Sequence, residues 1–324
     1  MTKSIIFSKR ETCGVNIFAR HLNSLLEKID HRSSVVNVIH ESINPSKHTN
    51  YIIHYVPSSL SNSEETQIFL NLLRTINDKI IIILHGFYSL EEKRFLEDTA
   101  CPDTALHAIA ILNYADKIVC LSESVRRSFL TWAHEEDIHK VIKIGHPGLY
   151  VGYKNKHGFK IGNDYVFIGG IERAKKNGRS LDILRLLKLC EYHGIKVRVH
   201  WSNAKIETKV DHPDNHTFGY IADEEWTELI ANSKIVLCPY KTKIQSVSGI
   251  IPEAISAGTP ILATSFDYSN EMRFSHPELV TVCDDIENWP NLILKKWKQD
   301  RQYKLSYKKV NWEDFANELS MMLQ

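Results

Sequence analysis

Short continuous apolar runs alternate along the chain with longer segments whose apolar positions recur every three or four residues. SIIFS (4–8) precedes the periodic VNIFARHLNSLLEKI (15–29), and VVNVIH and YIIHYV follow. EETQIFLNLLRTI (64–76) leads into KIIIILH (79–85), ALHAIAILNYA into KIVCLS, and ESVRRSFLTWA into KVIKIG. An unbroken apolar strand is one buried on both faces. Such strands separated by amphipathic helices predict a mainly parallel sheet with helices on either side.

The pattern lapses over LYVGYKNKHGFKIGND (149–164), which is rich in Gly, Lys and Asn. It resumes with YVFIGG, LDILRLLKLCEYHG, IKVRVHW, WTELIAN, KIVLCPY, PEAISAG and PILATS. The expected organisation is an α/β chain with two Rossmann-like domains, 1–150 and 165–305, joined by a linker at 151–164. One large open sheet is the alternative. Two tail segments read as helices, IENWPNLILKKWKQD and NWEDFANELSMMLQ. In the second, Trp312, Phe315, Leu319 and Leu323 fall on one face. The closing segment, 306–324, covers the second domain or crosses back to the first.

Length agrees with this division, since 324 residues exceed one ordinary core and suit two. Hydrophobic residues make up 43% and charged residues 24%, a globular composition. With 40 basic and 39 acidic side chains the formal net charge is +1, so no global field draws in nucleic acid. No apolar run reaches the roughly 20 residues that span a bilayer. The start, MTKSIIFSKRETCG, lacks the long apolar core of a signal peptide. The six cysteines are scattered without a CxxC, which fits reduced thiols in a cytoplasmic protein.

Three loops sit where open α/β sheets bind ligands, beyond the carboxyl ends of strands and near helix starts. In SKRETCGVNIFARHL (8–22), Gly14 stands at the mouth of the first helix. In FIGGIERAKKNGRS (167–180), Gly169 and Gly170 end a strand, and Arg173, Lys175, Lys176 and Arg179 follow. Glycine amides with clustered cations suit a diphosphate; a solvated basic loop is the other reading. In QSVSGIIPEAISAGTPILATS (245–265), Ser248 and Gly249 precede a short helix, with Pro252 and Glu253 in its first turn and Gly258 at its end. A ribose site and a tightly packed helix start both fit. No HExxH or paired CxxC offers a metal site. Asp284 and Asp285 in CDDIE read as a helix start and its cap.

Taken in order, these segments resemble the retaining nucleotide-sugar glycosyltransferases of family 4, which have the GT-B fold. The resemblance runs through the Gly14 loop, LHGF (84–87), ADKIVCLSES (115–124), IGHPGL (144–149), FIGGIERAKKNG, TFGYIADEEWTELIANSKIVLCPY, SGIIPEAISAGTPILATS and NWEDFA. It implies two Rossmann-like domains facing a cleft, with donor held by the second, acceptor on the first, and the last helix returning to domain one. It also implies a UDP-sugar or GDP-sugar donor, no metal and no other cofactor. The acceptor would be a glycan, a lipid-linked sugar or a protein, in surface glycan or glycoconjugate synthesis.

By that resemblance His85 faces the transferred sugar, Lys176 the leaving diphosphate and Glu253 the donor ribose. The family's first glutamate falls on Gln245, and its diphosphate arginine, six before the lysine, falls on Gly170. Gln245 keeps hydrogen bonding but lacks the charge that would stabilise a developing positive anomeric carbon. Gly170 has no side chain with which to clamp phosphate. Tyr240 contacts the base or faces solvent. His146 contacts the site or fixes its own loop. KKWK (295–298) touches an anionic membrane surface or is a solvated helix face. Two other functions stay open: a noncatalytic GT-B partner of an active transferase, and a sugar-nucleotide epimerase, which SVSGIIPEA also resembles.

Overall fold

The computed structural model describes residues 3–8, 14–29, 32–37, 49–55, 70–71, 74, 79–87, 104–148, 165–171, 179–201, 216–240, 247–297 and 311–323. The chain divides into two compact units. One is Met1–His146 with Val310–Gln324, and the other is Pro147–Lys309. The proposed linker 151–164 lies outside the described residues, as does most of the helix expected at 64–76.

The first unit carries β1 (Lys3–Ser8), α1 (Gly14–Lys28), β2 (Arg32–Asn37), β3 (Thr49–Tyr55), β4 (Ile80–Leu84), α2 (Thr104–Tyr114), β5 (Lys117–Cys120), α3 (Glu123–Leu130) and β6 (Val141–Lys143). Its six strands are parallel in the order β2-β1-β3-β4-β5-β6. The order reverses beside β1, which pairs with β2 on one side and β3 on the other. Such a reversal of strand order is where open α/β sheets bind ligands. β4 is five buried residues, IIIIL, as its unbroken apolar run requires. Ser122 caps α3 by accepting from the Val125 amide at 3.0 Å.

The second unit contains β7 (Val166–Ile171), α4 (Arg179–Tyr192), β8 (Val197–Trp201), β9 (His216–Phe218), α5 (Asp223–Asn232), β10 (Ile235–Cys238), α6 (Ile250–Ser256), β11 (Ile261–Ala263), α7 (Asp267–Ser275), β12 (Val280–Val282) and α8 (Trp289–Trp297). Its parallel sheet runs β12-β11-β10-β7-β8-β9, with the reversal at β7. Phe167, Val236, Cys238, Ile261 and Ala263 pack on one face. Val166, Ile168, Ile235, Leu237 and Leu262, their neighbours in sequence, pack on the other. Strand alternation thus buries both faces. Asp285 caps the short 3-10 turn 286–288 through the Glu287 amide, the role expected of CDDIE.

The last helix, α9 (Trp312–Leu323), belongs to the first unit. Trp312 and Phe315 pack against Phe18 of α1 with ring centroids 4.6 and 5.4 Å away. Asn50 Nδ2 donates to the Leu323 carbonyl at 3.0 Å, and Lys79 Nζ to the Met322 carbonyl at 3.5 Å. These bonds satisfy carbonyls that a helix end leaves without intrahelical partners. Of the two placements open for the closing segment, return to domain one is the one adopted.

No described helix is long and apolar enough to cross a membrane. In the KKWK stretch, Lys295 is exposed, while Lys296 is half-buried and its ammonium is held below the usual lysine range by that burial. Trp297 packs at the core edge, with Lys234 Nζ 5.9 Å from its ring centroid. Lys298 lies outside the described residues. Cys120, Cys190, Cys238 and Cys283 are free thiols; burial pushes the first two to about 12.

Candidate functional site

In the second unit the candidate residues gather at the carboxyl ends of β7 and β10, beside the reversal of strand order. Gly169 and Gly170 lie within the end of β7, and Tyr240 directly follows β10. Ser248 and Gly249 lead into α6, and Glu253 occupies its first turn. Arg173, Lys176 and Gln245 lie outside the described residues, as does Lys175.

Gly169 has a steric reason to be glycine. A Cβ there would stand 2.6 Å from the Trp226 ring, 2.7 Å from Phe167 and 2.8 Å from Ile250. The missing side chain lets the Trp226 indole lie against the end of β7. Gly169→Ala is expected to destabilise the fold by roughly 1–3 kcal/mol through overpacking. A shift in denaturant midpoint at unchanged slope measures it.

Trp226 then reaches Glu253. Its indole Nε1 donates to Glu253 Oε2 at 2.9 Å. His200 and Phe167 each meet the indole edge to face at 5.5 Å, and His200 is held by Thr217 Oγ1 at 3.0 Å. Burial pushes the Glu253 carboxyl up to about 8; the Trp226 hydrogen bond lowers it and Asp223 raises it. The first turn of a helix favours a carboxylate, yet here desolvation outweighs that preference. In the sequence Trp226 is only one apolar position of WTELIAN, with nothing to tie it to Glu253. A tryptophan at the start of an acidic helix, DEEW, was the available signal.

The turn before α6 is held from behind. Tyr240 Oη and Ser248 Oγ are 2.7 Å apart, and Ser248 is buried. The Tyr240 amide donates to Thr264 Oγ1 at 2.9 Å, and that hydroxyl donates to the Tyr240 carbonyl at 2.6 Å. The Tyr240 ring meets Phe266 edge to face at 5.1 Å. The tyrosine hydroxyl thus anchors the loop, and the residue is partly buried against the core at the strand end. α6 has no side-chain cap at Gly249. Its other end is a Schellman closure: Gly258, with φ of +66°, donates to Ile255 at 3.0 Å and Thr259 donates to Ala254 at 2.8 Å. A Cβ on Gly148 would collide with Ser256 of α6, so the GHPG loop needs glycine where it meets that helix.

The first unit contributes histidines around a phenyl ring. Gly14 begins α1, and Phe18 follows one turn later. His85 follows β4 and is 9% exposed. Phe18 meets His54, His85 and His146 at 5.4, 5.0 and 5.2 Å, all edge to face. The His146 amide donates to the Leu121 carbonyl at 2.9 Å, which ties its loop to β5. His85 is held neutral by burial and, to a lesser degree, by His54 and His146. Neutral, the ring has one N–H donor and one lone pair, and its Nε2 already lies 2.9 Å from His54 Nδ1. Among the described residues no cluster of three or more His, Cys, Asp or Glu side chains could hold a metal ion.

No protein-family model matches the chain, and no curated protein matches it in sequence. Solved structures do match, end to end. One is the N-terminal domain of trehalose-6-phosphate phosphatase from Candida albicans, 11% identical over 99% of this chain and 96% of that one, with a TM-score of 0.62. An α-glucosyltransferase in complex with UDP is 14% identical over 100% of both chains, with a TM-score of 0.62. WaaG, a glycosyltransferase involved in lipopolysaccharide biosynthesis, is 16% identical over 99% of this chain and 95% of that one, with a TM-score of 0.58. Identities this low carry the architecture and not the chemistry, and the architecture is the GT-B fold: two Rossmann-like α/β domains, with the C-terminal helix returned to the first.

Proposed function

We propose that the chain is a retaining glycosyltransferase of the family 4 type, moving a sugar from a nucleoside diphosphate sugar to an acceptor hydroxyl. The observation that carries this is Glu253. It sits in the first turn of a helix at the strand-order reversal of the second sheet, held by Trp226 through one oxygen. In this reading its other oxygen accepts from the ribose diol.

In this reading the diphosphate lies near Lys176 and the amides of Ser248 and Gly249. Preorganised donors at the departing charge meet the main catalytic demand. Glu253 holds the ribose and supplies positioning energy away from the bond that breaks. His85 orients the transferred sugar. The acceptor hydroxyl forms its bond to the anomeric carbon on the face the nucleotide leaves, as the glycosyl–phosphate bond breaks. The leaving phosphate takes the hydroxyl proton. Gln245 contributes a hydrogen bond but no charge, and Arg173 or Lys175 replaces the family arginine missing at Gly170. The proposed acceptor is a glycan, lipid-linked sugar or protein, since the near-neutral charge disfavours nucleic acid. The proposed setting is the cytoplasm, with any membrane contact falling to the exposed Lys295.

UDP- and GDP-sugars are expected to protect the purified protein against thermal unfolding. At a hundredfold excess over Kd, one binding site adds about 2.7 kcal/mol. Failure of every nucleoside diphosphate to bind by calorimetry overturns the transferase reading. Gln245 and Gly170 favour a second reading, a GT-B protein that binds nucleotide without turnover. Transfer or donor hydrolysis that is lost in Lys176→Ala would exclude it.

A further inference from the structure

Two imidazoles meet at the carboxyl ends of β3 and β4. His54 Nδ1 lies 2.9 Å from His85 Nε2, and both rings are buried. One proton bridges those two atoms, so its direction depends on what the outer nitrogens meet. His54 Nε2 is fully buried and has no hydrogen-bond partner among the described residues. Were His85 the donor, neutral His54 would carry its own proton on Nε2, stranding a buried N–H. With His54 as donor, Nε2 is a bare lone pair. Stranded buried N–H groups are the rarer of the two defects. Burial holds both rings neutral, His54 at about 3, so a doubly protonated ring does not provide a third arrangement. His85 must then carry its single proton on Nδ1.

We infer that His54 is a positioning residue: its Nδ1–H bond to His85 Nε2 fixes the His85 tautomer and leaves Nδ1–H as a directed donor for an oxygen of the transferred sugar. The sugar in that statement rests on the glycosyltransferase reading; the tautomer does not. Phe18, edge to face with both rings, blocks their rotation. The arrangement also removes His85 as a base, because its one lone pair is already occupied by His54. A proton leaving the acceptor must go elsewhere, which suits a leaving phosphate.

The test uses the full chain labelled with 15N-histidine, in which two-bond 1H–15N correlations report the protonated ring nitrogen. His85 is expected to be protonated on Nδ1 in the ligand-free protein. His54→Leu removes both the donor and the stranded nitrogen. It should move the His85 proton to Nε2 and lower kcat roughly tenfold, the worth of one hydrogen bond, with little change in donor KM. His54→Asn, whose amide can donate to the same Nε2, should restore Nδ1 protonation and most of the turnover. A wild-type His85 protonated on Nε2 overturns the inference, as does a tautomer unchanged in His54→Leu. If the leucine variant does not fold, the wild-type and asparagine spectra decide the matter. If the tautomer is as inferred but no UDP- or GDP-sugar is turned over, the glycosyltransferase reading fails and the His54 assignment stands.

Discussion

Glu253→Ala is expected to weaken nucleotide-sugar binding by about a hundredfold or more. A carboxylate accepting a ribose diol makes charge-assisted hydrogen bonds, each worth about 1.5–3 kcal/mol, and about 1.4 kcal/mol is tenfold in affinity. Calorimetry on wild type and variant measures the difference. Glu253→Gln is the sharper comparison, because its amide oxygen still accepts from the Trp226 indole. If the glutamine variant binds as tightly as wild type, Glu253 is a packing residue and its proposed ribose role is wrong.

The same carboxyl couples binding to pH. Its folded-state pKa is raised from 4.5 to about 8, so ligand-free protein at neutral pH holds a proton there. Ribose hydroxyls donate to the ionised form, and binding must release that proton. Donor affinity should therefore rise with pH up to about 8 and level off above it. Folding has the opposite slope. Between 4.5 and 8 the folded chain binds more protons than the unfolded chain, and this carboxyl's contribution to stability falls as pH rises. It is complete below 4.5 and lost above about 8. Glu253→Gln, having no proton to lose, should lack this decline and gain on wild type at alkaline pH. Calorimetric titrations in buffers of different ionisation enthalpy count the protons released.

Much of the architecture was legible because a parallel sheet writes itself as apolar runs. KIIIILH and KIVLCPY are short, β-branched apolar runs that read as buried strands, and the helices between them supplied the crossovers. What escaped was short or polar. β9 and β12 are three residues each, and their burial patterns are mixed, so neither left a run to read. α7 covers DYSNEMRFS, whose few apolar positions give no clear stripe. Its start is organised instead by Ser269, which accepts from the Phe266 amide at 3.0 Å. The site was legible in part for a related reason. Glu253 stood out as a carboxylate in a first turn. Trp226 and His54 act through partners 27 and 31 residues away in sequence, and only the fold could join them. Sequence likewise marked Gly169 for a phosphate, whereas packing against Trp226 is by itself enough to require it.

Phe18→Ala should be the most damaging single core substitution in the first unit, at roughly 3–5 kcal/mol. Phe18 is 3% exposed, and its ring touches His54, His85, His146, Trp312 and Phe315. Truncation opens a cavity among groups of two kinds. The imidazoles lose the apolar wall that keeps their bond dry, and α9 loses the ring against which Trp312 and Phe315 pack. The damage should therefore be directional. Amides of α9 should exchange with solvent faster than those of β4, whose strand neighbours remain in place. Met321→Ala is the control on the same helix; at 65% exposed it should change stability by no more than about 0.5 kcal/mol. Equal losses in the two variants would mean that α9 is held by its terminal hydrogen bonds to Asn50 and Lys79, and not by the aromatic cluster. Because Phe18 also walls the His54–His85 pair, its loss should free His85 to change tautomer, tying the anchoring of the last helix to the donor that the first domain presents.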